Sequence, residues 1–236
     1  MCAVNADQIL GREGTAFSAG AGHPLVLEGR RAWWVEAGQI DLFSLPMEGG
    51  RAVGSRSHLL RLGAGSLVVG AGGADDAARA RLLGIGGAGT RLRELSEADL
   101  RAILARPDTA GPVAGWLDVW VEALCDYMAR GAAPEACHEV DAPSTLACPQ
   151  ETRIRPRQRA AWVRHQEGGS LLLGRAELRV GEGETVPLSR GAWLQAEGGA
   201  RLEVTGTEEL LARDPEAVWR GLERFHALVL RRADAL

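Results

Sequence analysis

The sequence contains no lysine; all 27 of its basic residues are arginine. A phosphate-binding P-loop needs a Lys beside its glycines and Schiff-base catalysis needs a Lys amine, so neither chemistry is available within this chain. Aromatic residues other than tryptophan are scarce: one tyrosine and three phenylalanines stand against seven tryptophans. No apolar run approaches the ~20 residues that a membrane-crossing helix requires, and Leu171 to Leu173 is typical of what is present. The opening stretch MCAVNADQILGREG lacks both the basic and the apolar segment of a secretory signal. These absences lead us to expect a soluble, cytoplasmic protein without direct membrane insertion. A net charge of −4 offers no basic footprint for nucleic acid.

Catalytic constellations are missing too. The five histidines (His23, His58, His138, His165, His226) are scattered, with no spacing that would bring two onto one metal. There is no G-x-S-x-G elbow for a hydrolase. The cysteines Cys2, Cys125, Cys137 and Cys148 form no Cys-x-x-Cys pair. Cys137, His138 and Cys148 could be imagined around a metal, but reduced thiols are the better reading in a cytosolic setting. Neither an enzyme, a metal nor a cofactor is expected.

What is present is a mainly β pattern with flanking helices. From about Leu25 to Leu95, short β-like segments (PLVLEG, AWWVEAG, IDLFSL, HLLRL, SLVVG, ARLLGI, TRLREL) alternate with glycine-rich breakers. That texture fits an antiparallel sandwich or β-roll rather than a parallel sheet. Ser96 and Asp99 form a capping-box pattern at the start of a short helix, and Val113, Trp116, Leu117, Trp120, Val121, Leu124 and Met128 make one apolar helical face. Residues 131–156, rich in proline and small residues, read as a connector. β-like segments then return, and Asp214 followed by Pro215 marks the start of a terminal helix.

Two pairs of stretches recur: LRLGAGSLV with LRVGEGETV, and AWWVEAG with AWVRHQEGG. The expectation is therefore two tandem β-roll domains, each followed by a helix: residues 1–130, then the connector 131–156, then a shorter second copy over 157–236. The run Gly84-Ile-Gly86-Gly-Ala-Gly89 matches a dinucleotide fingerprint literally. It precedes TRLREL rather than a helix, so it reads as a glycine-rich hairpin. Trp33 and Trp34 are adjacent, so in a strand one should point outward, as a contact surface or as packing against the other copy.

The order of β-roll, glycine turn at Gly70, then SEADLRAIL and a longer helix resembles the cyclic-nucleotide-binding domain family over about Leu25 to Arg130, and less fully from Arg153 onward. The resemblance implies a ribose-binding Glu after Gly70 and a downstream Arg for the cyclic phosphate. Here Ala71 stands in the Glu position, and Arg79 and Arg81 are the nearest arginines. Ser189-Arg190 occupies the corresponding place in the second copy. The stretches HPLVLEG, AWWVEAGQIDLFSLP, SHLLRLGAG, GTRLREL and AVWRGLERFHALVLR also resemble the N-terminal region of NHLP/NHLM-type bacteriocin export ABC transporters. This likeness implies a non-enzymatic regulatory module at the inner face of the membrane. Its partners would be a precursor leader peptide, a maturation partner, or the transporter's membrane and ATPase domains, with Trp33 or Trp34 as a peptide contact. A homodimer is compatible with it. The alternative is a sensor of a small ligand or cyclic nucleotide held near Gly70, Arg79 and Arg81.

Overall fold

A computed structural model describes residues 6–235 apart from 21, 23, 50, 73–79, 107, 133–135 and 158. The chain divides into two compact units, residues 1–120 and 121–236. The first contains α1 (Ala6–Leu10), β1 (Thr15–Ala19), β2 (Leu25–Val26), β3 (Ala32–Ala37), β4 (Gln39–Glu48), β5 (Arg51–Ala52), β6 (Ser57–Gly63), β7 (Leu67–Val69), β8 (Ala80–Gly86), β9 (Thr90–Leu95), α2 (Glu97–Leu104) and the start of α3 (Ala110–Met128). Its strands alternate between a sheet of order β1-β9-β3-β7 and a second of order β2-β8-β4-β5, with β6 on β4. Winding back and forth between two sheets is what makes a roll, and every named strand pair in it is antiparallel. Leu27, Val35, Ile40, Leu42, Leu59, Val68 and Leu92 are fully buried and fill it.

The second unit follows with β10 (His138–Val140), β11 (Ser144–Cys148), β12 (Arg153–Pro156), β13 (Ala160–Glu167), β14 (Ser170–Leu172), one 3-10 turn, β15 (Arg179–Val180), β16 (Thr185–Ser189), β17 (Leu194–Ala196), β18 (Ala200–Thr205), α4 (Thr207–Arg213) and α5 (Pro215–Asp234). Its sheets have the orders β11-β18-β13-β16 and β10-β12-β17-β14-β15. The connector reading of 131–156 is corrected here, because β10, β11 and β12 lie within it. Three of its prolines flank or end strands: Pro143 precedes β11, Pro149 follows it and Pro156 closes β12. There a missing N–H costs little.

The same pairing occurs in both units. β3 bulges between Val35 and Ala37 against β9, and β13 bulges between His165 and Glu167 against β18. The repeated Leu-Arg-x-Gly stretches place Gly65 and Gly183 at matching turns, with φ of +85° and +78°. The Gly65 N–H donates to the Val35 carbonyl at 2.9 Å, and the Gly183 N–H donates to the His165 carbonyl at 2.8 Å. This register sets Trp162, opposite Thr205, level with Ala32, opposite Leu95. The main difference lies further on. β7 and β8 are joined by residues 70–79, whereas β16 and β17 are joined by only 190–193.

Helix starts follow the sequence. Ser96 Oγ accepts from the Asp99 N–H at 3.2 Å while the Asp99 carboxylate accepts from the Ser96 N–H at 2.8 Å. The Ser96 hydroxyl also donates to the Asp99 carboxylate at 2.6 Å, and this bond, with that from the Ser96 N–H, holds the Asp99 carboxyl below its usual pKa range. Asp214 caps α5 through the Ala217 N–H at 3.0 Å. The G-x-G-x-x-G run is not a hairpin: Gly84 and Gly86 lie in β8, and the turn at Gly89 carries the chain across to β9 in the other sheet. A Cβ at Gly84 would meet Ile40 Cδ1 at 2.6 Å, so these glycines serve close packing. Among the described residues, no helix is long and apolar enough to cross a membrane.

Candidate functional site

The segment by which the two units differ most begins at Gly70. Its N–H donates to the Arg31 carbonyl at 2.9 Å, and a Cβ there would lie 2.5 Å from the Gly29 carbonyl oxygen. Only glycine allows the two backbones so close. The Ala71 N–H donates to the Leu27 carbonyl and the Gly29 N–H to the Ala71 carbonyl, both at 3.0 Å, so Glu28 and Ala71 form a parallel bridge. At the far end of the segment, Arg81 on β8 comes back to the same place, its Nη1 3.7 Å from Glu28 Oε2. Arg79 lies outside the described residues.

Gly70 and Arg81, chosen from sequence, are thus brought together with a carboxylate that sequence reading missed. Glu28 stands beside Ala71, next to the position that carries Glu in the family the chain resembles. Its only signal was its place just before the Gly29 turn, which is indistinct without the backbone bridge. A half-exposed Glu and a one-third-exposed Arg at 3.7 Å make a loose pair worth about 0–1 kcal/mol, easily opened by a ligand. A guanidinium that can fork onto an oxyanion, next to a carboxylate that can accept from hydroxyls, suits a ligand bearing both groups.

Trp33 and Trp34, the expected peptide contacts, are both buried. They are 1% and 7% exposed, so neither offers a ring to a partner. The two rings do alternate across β3, but both faces are covered. Trp33 Nε1 donates to Glu94 Oε2 at 3.3 Å, while Trp34 packs on Trp116 of α3 with ring centroids 4.5 Å apart. Both tryptophans are explained at these positions by core volume.

The second unit has little room at the matching place. The short 190–193 turn is held by the Gly191 N–H donating to Ser189 Oγ at 3.3 Å, and beside Ser189 the buried Cys125 thiol is pushed up to about 12 by loss of solvent. The interior of this unit also holds buried polar side chains, among them a histidine and a serine. His165 and Ser170 are completely buried, with Nε2 3.0 Å from Ser170 Oγ and Nδ1 without a hydrogen-bond partner among the described residues. Burial lowers the His165 pKa from its usual 6.5, because the charged ring is poorly solvated there. The unfolded chain therefore binds the extra proton first. Stability is full above pH 6.5, falls as pH drops below it, and levels off once pH passes the depressed folded-state value. Val35 occupies the matching position in the first unit, so His165→Val should flatten that slope in urea titrations between pH 7 and 5. An unchanged slope would assign it to other groups.

Cys125 and Cys148 are buried, Cys137 is half-buried, and none is in a disulfide. Among the described residues, no group of three or more His, Cys, Asp or Glu side chains could hold a metal.

The geometry is that of a β-roll followed by helices, with the Glu28–Arg81 charged pair beside the Gly70–Ala71 backbone bridge. No protein-family model matches the chain, and no curated protein matches it. Solved structures do. The catabolite activator protein of Thermus thermophilus is 21% identical, covers 52% of this chain and 62% of its own, and superposes with a TM-score of 0.33. The regulatory domain of Toxoplasma gondii PKA with cAMP is 14% identical over 87% of this chain and 82% of its own, at a TM-score of 0.25. A cyclic nucleotide-binding-like protein from Brucella abortus is 21% identical over 42% of this chain and 82% of its own, at 0.29. Superpositions this loose leave the weight of a functional reading on the chain's own strand pairing and side chains.

Proposed function

We propose that the chain is a ligand-binding regulatory module of two cyclic-nucleotide-binding-like rolls, and that the first roll senses a small anionic ligand of the cyclic nucleotide type. The observation that carries this reading is the Arg81–Glu28 pair beside Gly70 and Ala71. Arg81 would hold the phosphate and Glu28 would accept from ribose hydroxyls, taking the part that Ala71 cannot. The short 190–193 turn favours a supporting role for the second unit. The reading of a peptide-recognition module for an exporter loses the contacts chosen for it, since Trp33 and Trp34 are buried.

The test is a thermal-shift series on the full chain with cyclic AMP and cyclic GMP. Ligand at about 100 times its dissociation constant adds about 2.7 kcal/mol to the folded state, a rise of several degrees. Arg81→Ala should abolish the rise while leaving the unliganded Tm nearly unchanged, because the pair it breaks is exposed. A flat response of the native chain to both nucleotides at millimolar concentration would end this reading.

A further inference from the structure

The second unit carries a polar cleft of about 780 Å³ that the sensor reading does not use. It is lined by β13, β16 and β18 of one sheet and by α4 and α5. Four arginines line it against three carboxylates, Glu184, Glu203 and Asp214. Two of the arginines are engaged: Arg213 lies 3.2 Å from Glu203, and Arg224 lies 2.7 Å from Glu184 while also donating to the Arg179 carbonyl at 2.5 Å. Arg220 is held loosely, 3.7 Å from an Asp214 whose carboxylate already caps α5.

Arg164 makes no hydrogen bond or ion pair among the described residues. It lies in the interior of its sheet, opposite Thr185 on β16 and Glu203 on β18, so the three side chains share one face and all line the cleft. The matching residue of the first unit is Trp34, one position before Val35 at the bulge as Arg164 is before His165. There the ring is buried against Trp116 and the face is filled. Where the first unit packs an indole, the second keeps a solvated cation with no ion-pair partner among the described residues. The cleft volume falls in the ~300–1,000 Å³ range of small-molecule sites.

We propose that this cleft binds a small organic phosphate of at least two negative charges through Arg164 and Arg220, with the Thr185 hydroxyl as a further donor. Guanidinium forks from a strand and from a helix can share the oxygens of one tetrahedral phosphate, which a lone planar carboxylate fits less well. Net positive charge among the lining residues favours such an anion and makes its binding weaken with salt.

Titration calorimetry of the full chain with inorganic pyrophosphate, in low salt and at matched ionic strength with chloride, tests this. Saturable binding that weakens at least tenfold in Arg164→Ala and in Arg220→Ala, partly recovers in Arg164→Lys and is unchanged in Arg81→Ala is expected. Both arginines are exposed, so these variants should keep the native Tm, checked by circular dichroism. No saturable heat, or binding indifferent to both alanine variants, would overturn the proposal. Loss in Arg81→Ala alone would also overturn it, by moving the site to the first roll.

Discussion

Trp162→Ala is expected to destabilise the second unit by about 3–5 kcal/mol, the cost of removing a large buried aromatic and leaving its cavity. The indole is 1% exposed and held from two sides. Its Nε1 donates to Thr207 Oγ1 at 2.9 Å at the start of α4, and its six-membered ring lies against Gly221 of α5. A Cβ on Gly221 would come 2.7 Å from the Trp162 ring and 3.3 Å from the Thr185 carbonyl oxygen. Gly221→Ala alone should therefore destabilise, although alanine is better than glycine by about 1 kcal/mol in a helix interior. In a Trp162→Ala background the ring no longer obstructs and only the 3.3 Å approach to the Thr185 carbonyl remains, so the same substitution should turn from costly to near neutral or stabilising. Guanidinium unfolding of the four proteins reads that change as a coupling energy. Additive effects would mean that the ring and the helix do not depend on one another.

Gly38→Val should cost about 2–6 kcal/mol, combining left-handed backbone strain with overpacking. Gly38 turns β3 into β4 at φ +76°, and a Cβ there would fall 2.7 Å from Thr90 Oγ1 and 2.8 Å from Thr90 Cα. Thr90 cannot yield, because its hydroxyl donates to the Gln39 carbonyl at 2.7 Å and accepts from the Gln39 N–H at 3.2 Å. Gly89 provides the control, with φ +73° and open space where its Cβ would stand. Gly89→Ala should carry only the backbone strain, about 1–3 kcal/mol. Equal losses in the two variants, measured by urea titration, would remove the steric part of this explanation.

Much of the fold was legible because it is written in local chemistry. Ser96 and Asp99 announce α2, Asp214 and Pro215 announce α5, and the two Leu-Arg-x-Gly stretches mark the matching turns at Gly65 and Gly183. What escaped notice depends on pairing between distant strands. β11 reads as polar connector because it is an edge strand whose outward residues are exposed, and its identity comes from its register with β18. Trp33 and Trp34 follow the alternation of a strand, but nothing local says that Trp116 covers the second face. Glu28 joins Arg81 only through the bridge to Ala71, and Arg164 stands out only once Trp34 is known to be its counterpart. Sequence patterns report which faces are apolar, whereas a binding site depends on which backbone segments meet.

The most direct test of the sensor reading is a titration of the isotope-labelled full chain with cyclic AMP, followed by backbone amide shifts. If the first roll holds the ligand, saturable shifts should concentrate at Glu28, Gly70, Ala71 and Arg81 and disappear in Arg81→Ala. Shifts confined to the second unit, or none at millimolar nucleotide, would contradict it.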